Sequence, residues 1–290
     1  LKQKDGMIMW NLTINGTDLY HILNWFFIYS FLGWVWETFY VSTKHGEFVN
    51  RGFVSGPFCT IYGFGAISVY LILKPIENHV LLLFLGGIVV ATVLEYITAV
   101  LMESIFHTSW WDYSDQKFNF QGRICLGVSL GWGVLTVLLF RVLHPLVEKL
   151  VALYPVYVGK ISVCVIATGY LCDFCRSASA AFHLKERIPY WEQDLEKKRV
   201  ELMLRLNVKL ESLELPKGAS PELLREKLED SEALRILSEK RLAFQKEFTE
   251  ELRAYRKTLV NRTKGNTRRF LKAYPHLNRG YRMRHKKDKK

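Results

Sequence analysis

The chain lacks the loops and residue clusters that mark a nucleotide-driven or hydrolytic enzyme. It holds no G-x-x-x-x-G-K-[ST] stretch, and Gly159-Lys160 lacks both the upstream glycine and the following Ser/Thr. A Walker-type ATPase site within the chain is therefore excluded, because backbone N–H groups and a lysine must meet the phosphates together. There is no G-x-S-x-G and no H-E-x-x-H, and the histidines at 21, 45, 79, 107, 144 and 183 follow no ligand spacing. Cysteine is scarce: Cys59, Cys125, Cys164, Cys172 and Cys175 all lie in or beside apolar stretches, which excludes a secreted disulfide framework. Cys172 and Cys175 form one C-x-x-C, with no second pair to complete a zinc set, and read as small packing residues rather than as a redox or metal pair. No cofactor or metal set emerges. No internal repeat and no cleavable signal peptide is visible; Met7 reads as a natural start, with residues 1–6 upstream of it.

Charge is also unevenly missing. Residues 19–36 carry no formal charge, then comes Glu37. At ~1.5 Å per residue such a run nearly crosses a hydrocarbon core of ~30 Å. The mean hydropathy of +0.03 is thus a blend of a strongly apolar first part and a highly charged last part. The pattern predicts an all-α protein, a bundle of about five transmembrane helices at 19–41, 56–73, 79–106, 124–143 and 156–181. Residues 1–18 precede this domain, which extends over 19–183. Gly127-x-x-x-Gly131 and Gly133 give span four a small-residue face for close helix approach.

After residue 183 the pattern changes to charged helices with apolar stripes: Trp191, Leu195, Leu202, Leu206, Leu210 and Leu213, then Leu224, Leu228, Leu234, Leu237, Phe244, Phe248, Leu252, Tyr255 and Leu259. Between them Pro216 and Gly218 break the helix, and Ser220-Pro221 suits a new helix start. Residues 184–260 therefore read as an antiparallel, coiled-coil-like hairpin. The tail, 261–290, has 12 Lys/Arg against the single Asp288, which is nearly all of the formal +12. On a membrane protein such a run suits anionic headgroups; nucleic acid ranks below lipid as a partner, and a solvated tail stays open. The tail also sets the orientation, with a cytoplasmic C-terminus and an outer N-terminus, against Lys74, Arg141 and Lys149. The loops at 42–55 and 107–123 then lie inside. Residues 107–123 suit a re-entrant or an interfacial segment.

Under this topology Glu37, Glu95, Glu103, Asp173 and Arg176 fall in the inner half of their spans. A charge at mid-bilayer costs at least ~2.5–3.5 kcal/mol, so these groups should face inward and pair. Arg51 and Arg123 are natural partners for Glu37, Glu95 or Glu103, and Asp173 can pair with Arg176 at i, i+3. Glu95 and Glu103 can line one cavity. Three roles stay open: structural ion pairs, a transport path or substrate cavity, and a general base for a lipid-phase substrate.

Several motifs carry a resemblance. Tyr29-Ser30-x-x-Gly33-Trp34-x-x-Glu37, Asn50-Arg51-Gly52-Phe53 through Gly56-Pro57, and Ile61-Tyr62-Gly63-x-Gly65 come first. Glu95-Tyr96, Trp110-Trp111-Asp112-Tyr113-Ser114 through Phe118-Asn119, and Gly122-Arg123-Ile124-Cys125-Leu126 follow. In this order they resemble the putative ABC-transporter type IV family, or CmpB-like permeases, over about residues 20–145. Thr60 stands where that pattern has Pro, and Ala99 where it has Ser. The resemblance implies a bacterial, multi-pass cell-membrane protein, permease-like, whose ATPase is a separate nucleotide-binding subunit. It implies Glu37, Asn50, Arg51, Glu95, Asp112, Asn119 and Arg123 as substrate-binding or gating residues; position within the spans adds Glu103. The alternatives are an intramembrane enzyme or binding protein for an anionic lipid-linked substrate, with Arg51 and Arg123 on the headgroup, and a scaffold acting through the hairpin and tail.

Overall fold

The computed structural model describes residues 10, 12–211, 231–274 and 277, and among these the chain is all-α apart from two short ribbons. β1 (Thr13–Ile14) and β2 (Thr17–Asp18) pair across Asn15-Gly16, both at positive φ (49° and 76°), the geometry a tight two-residue hairpin needs. Asp18 then caps α1 (Leu19–His45), its carboxylate accepting the His21 N–H at 2.9 Å. α1 stops at Gly46, whose φ of 69° turns the chain out of the helix.

α2 (Thr60–Leu73) runs into a 3-10 turn at Lys74–Ile76 built on Pro75, and α3 (Val80–Phe106) follows. β3 (Asn119–Phe120) and β4 (Ile124–Cys125) form the second ribbon, in the register Asn119↔Cys125. α4 (Leu126–Leu138) continues through a π turn (Leu139–Leu143) into α5 (His144–Ala152). Pro145 lies in the first turn of α5; it has no N–H to give, and the widened turn before it accommodates the missing bond. The helical run thus passes the sequence-read end at 143 and reaches Ala152. α6 (Val156–Glu211), α7 (Ser231–Arg262) and α8 (Gly265–Ala273) complete the chain.

Among the described residues, three helical stretches are long and apolar enough to cross a membrane: Val80–Phe106, Leu126–Ala152 and Val156–Leu184. Their outward side chains, Leu81, Val89 and Val165 among them, are exposed and apolar, as lipid-facing positions are. α1 has the length, but tryptophan and tyrosine replace much of its aliphatic content; α2 with its turn is shorter.

Two pairs of helices approach closely. A Cβ on Gly33 would lie 2.3 Å from the Tyr62 ring, and one on Gly63 2.2 Å from Ser30 Oγ, so α1 and α2 nearly touch backbones. Gly87 meets Thr136, and Gly133 meets Phe84 and Ile88, which does the same for α3 and α4. Of the span-four glycines only Gly133 acts as expected; Gly127 and Gly131 have nothing within 4 Å. The core between these pairs is aromatic, with Trp25, Phe26, Phe27, Tyr29 and Tyr70 buried. Cys172 and Cys175 are exposed, not packed as the sequence suggested.

The chain divides into two compact units. The first holds the residues up to Lys185 and takes the chain back from Gly265; the second is Glu186–Lys264. In the second, Lys198 of α6 lies 5.9 Å from the Tyr255 ring centre of α7, and Ile188, Leu202, Phe244 and Leu259 are buried. The expected helix break at Pro216 and Ser220-Pro221 falls outside the described residues, as do Leu213, Leu224 and Leu228.

Candidate functional site

The polar residues of the first unit fall into three linked groups. The first lies where the segment 46–59 joins α1 to α2. Asn50 folds this segment on itself: its Oδ1 accepts from Trp34 Nε1 and Gly52 N, both at 2.9 Å, and its Nδ2 donates to Ser55 O at 2.7 Å. That places Arg51 over α1, where its Nε donates to Glu37 Oε2 at 3.3 Å. Glu37 Oε1 accepts the Tyr62 hydroxyl at 2.7 Å, so the carboxylate ties α1, the loop and α2 together. Asp173 of α6 accepts the Gly56 N–H at 2.7 Å. The expected Asp173–Arg176 pair does not form among the described residues, because the loop N–H takes the carboxylate instead.

The second group is in the segment between α3 and α4. Residues 107–125 form no helix: they make a lobe ending in the β3–β4 ribbon, with Phe118, Gln121 and Gly122 all at positive φ. Asn119 and Asp112 build the lobe. Asn119 donates to Gln116 O at 2.8 Å and accepts from Gly122 N at 3.1 Å; Asp112 accepts from Ser114 N at 3.1 Å and Ser114 Oγ at 2.5 Å. The lobe aims Arg123 at α3, where Nε and Nη2 meet Glu103 Oε2 at 3.1 and 2.7 Å. Glu103 is only 6% exposed. Arg123 also reaches Gln121 and lies 5.6 Å from the Tyr96 ring centre.

Glu95 is the third. It is 6% exposed, and its oxygens accept from Tyr113 OH at 3.1 Å and Trp132 Nε1 at 3.0 Å. The Trp132 and Tyr62 rings touch, with centres 6.2 Å apart, which brings the Glu95 and Glu37 groups together. Of the sequence-read partners, Glu37 takes Arg51 and Glu103 takes Arg123, while Glu95 takes neither. Glu95 turns to Tyr113 and Trp132, and Glu103 to Arg123.

The sequence reading did not anticipate a fourth component. α8, from the start of the basic tail, packs onto the loop that holds Arg51. Arg269 donates to the carbonyl oxygens of Gly52, Phe53 and Val54, the last at 2.8 Å, and Phe270 is fully buried against Phe53 and Trp110. Arg51 Nη1 donates to Ala273 O. Burial lowers the Arg269 pKa, with Tyr274 and Asp173 opposing. Burial also works against the charge of Arg51, but Tyr274 and Glu37 outweigh it and hold the guanidinium above its ordinary value. The only signal in the sequence was the apolar patch of Phe270, Leu271, Ala273 and Tyr274 breaking the basic run. The residues richest in lysine, 278–290, lie outside the described residues.

A family model described as Putative ABC-transporter type IV matches residues 24–178, which contain every site residue named above from Glu37 to Asp173 and exclude α8. No curated protein and no solved structure matches the chain.

Proposed function

Since the chain belongs to the Putative ABC-transporter type IV family, a membrane family by its helices, we propose that it is the permease-like transmembrane subunit of an ABC-type transporter. Its ATPase is then a separate chain. The protein crosses a bacterial cell membrane five times, with the C-terminus in the cytoplasm and the basic tail on anionic headgroups. The observation that carries this reading is the pair of matching clasps. Each clasp sets a loop arginine on a carboxylate of the preceding helix: Arg51 on Glu37 and Arg123 on Glu103. Two such clasps, one for each closely packed helix pair, are elements that a partner at the loop face can open and close together. Glu37, Arg51, Glu103 and Arg123 act as gate residues. Asn50, Asp112 and Asn119 hold the loops that present them.

The reading as a binding protein for an anionic lipid-linked substrate needs Arg51 and Arg123 for a headgroup. Both are engaged by carboxylates, which disfavours it. The deciding experiment is a pull-down of tagged protein from native membranes in mild detergent, with mass spectrometry. A stoichiometric nucleotide-binding subunit, lost in Arg51→Ala or Arg123→Ala, supports the permease reading; a lone chain carrying bound lipid overturns it.

A further inference from the structure

Three buried or half-buried carboxylates of α1 and α3 belong to the site, and two of them face an arginine. Glu95 differs. Among the described residues no cation lies within ion-pair distance of it, and its two contacts are neutral donors. It sits on α3, one of the helices fit to cross a membrane, where an ionised carboxylate with no countercharge is costly.

The two donors are chemically unlike. Trp132 Nε1–H can only donate, so Glu95 Oε2 stays an acceptor whatever the charge of the group. The Tyr113 hydroxyl can donate or accept. It can give its hydrogen to an ionised Oε1, or take one from a protonated Oε1–H. Both charge states therefore leave the carboxyl fully hydrogen-bonded, and the proton has one place to be. A metal cation does not suit this site, because an N–H and an O–H point at the oxygens where further oxygen ligands would have to gather.

We propose that Glu95 is a proton-binding site, the proton residing on Oε1 between Glu95 and Tyr113. The other titratable groups around it have partners of their own. On α3, Glu103 is clasped by Arg123; in the lobe, Asp112 is held by Ser114; beyond the Tyr62–Trp132 contact, Glu37 is clasped by Arg51. Among the described residues, the Tyr62 phenol, which touches Trp132, donates to Glu37, and Cys125 is buried in β4. The inference deepens the permease reading, because a transporter would load a coupling proton at such an acid. Proton binding itself is measured without transport.

The test uses the full chain in lipid vesicles and dicyclohexylcarbodiimide, an apolar reagent that modifies protonated carboxyls. The adduct is mapped by mass spectrometry across a pH series. The expected result is an adduct on Glu95 that fades as pH rises, with Glu37 and Glu103 unmodified. Infrared spectra of the same samples should show a protonated-carboxyl stretch with the same pH profile, absent in Glu95→Gln. Trp132→Phe removes a donor that favours the ionised form and should move both profiles to higher pH, which a purely structural Trp132 would not do. Folded wild-type protein with neither adduct nor band at any pH it survives overturns the proposal, as does a profile that Trp132→Phe leaves in place. An adduct on Glu95 in a chain that captures no nucleotide-binding subunit keeps the proton site and sinks the permease reading.

Discussion

The Arg51 guanidinium lies 4.4 Å from the centre of the Tyr274 ring, and the Tyr274 hydroxyl donates back to the Arg51 carbonyl oxygen at 2.7 Å. A residue of the first loop and one of the tail thus hold each other twice. Burial pushes the Tyr274 phenol up to about 12 from an ordinary 10.0, with Arg51 opposing. A raised phenol favours the folded state fully below its unfolded value and loses that effect as pH rises through the folded one. Wild type should therefore melt above Tyr274→Phe by a constant margin up to pH 10, and the margin should vanish by about 12. Thermal melts across that range check it; an undiminished margin at the top contradicts it.

Phe270 and Arg269 are the anchor of α8. Phe270→Ala removes a fully buried ring and should cost about 3–5 kcal/mol. Arg269→Ala abandons three carbonyl oxygens of the loop, at about 1.5–3 kcal/mol for each charged hydrogen bond lost. Both should expose residues 265–274 to protease while leaving α3 and α4 intact. Protection equal to wild type would mean that α8 is not held this way.

Arg123→Ala leaves Glu103 buried without its cation and should destabilise the protein by about 3–5 kcal/mol. Adding Glu103→Gln should recover much of that loss, because no charge is then stranded. Melting the two single variants and the double variant in detergent reads the coupling. Additive losses would show that the contact contributes little.

Gly33 and Gly63 should not tolerate alanine: the added carbon would sit 2.3 Å from the Tyr62 ring or 2.2 Å from Ser30 Oγ. Overpacking of this kind costs about 1–3 kcal/mol. Gly127→Ala and Gly131→Ala meet nothing within 4 Å and should melt like wild type as the isolated chain. The order of the four melting temperatures is the measurement.

The helices could be read from the sequence because an apolar run free of charge says what it is without any partner. The arginine clasps were also legible, since Glu37, Glu103, Arg51 and Arg123 are costly in a membrane unless paired. The sequence did not say which carboxylate would go without. Glu95 is settled by where the lobe puts Tyr113 and where α4 puts Trp132, and neither position is encoded locally. The lobe itself depends on positive φ at Phe118 and Gln121, residues with no preference for that conformation. Asp173 misled for a related reason. Its helical neighbour Arg176 is a good partner on paper, but the Gly56 N–H reaches it from another part of the chain. α8 was hidden because it opens a strongly basic tail and only three of its residues, Phe270, Leu271 and Ala273, are apolar.

The hold of Tyr274 on Arg51 spans 223 positions of chain. A ribosome adding about 5–20 residues per second needs about 10–45 s between the two. For that interval the newly made loop has a helix on each side and no Arg269 on its carbonyl oxygens. It must wait in that state until α8 has been made. A premature stop between α6 and α8 therefore yields a chain whose first loop, although wholly translated, stays unfinished.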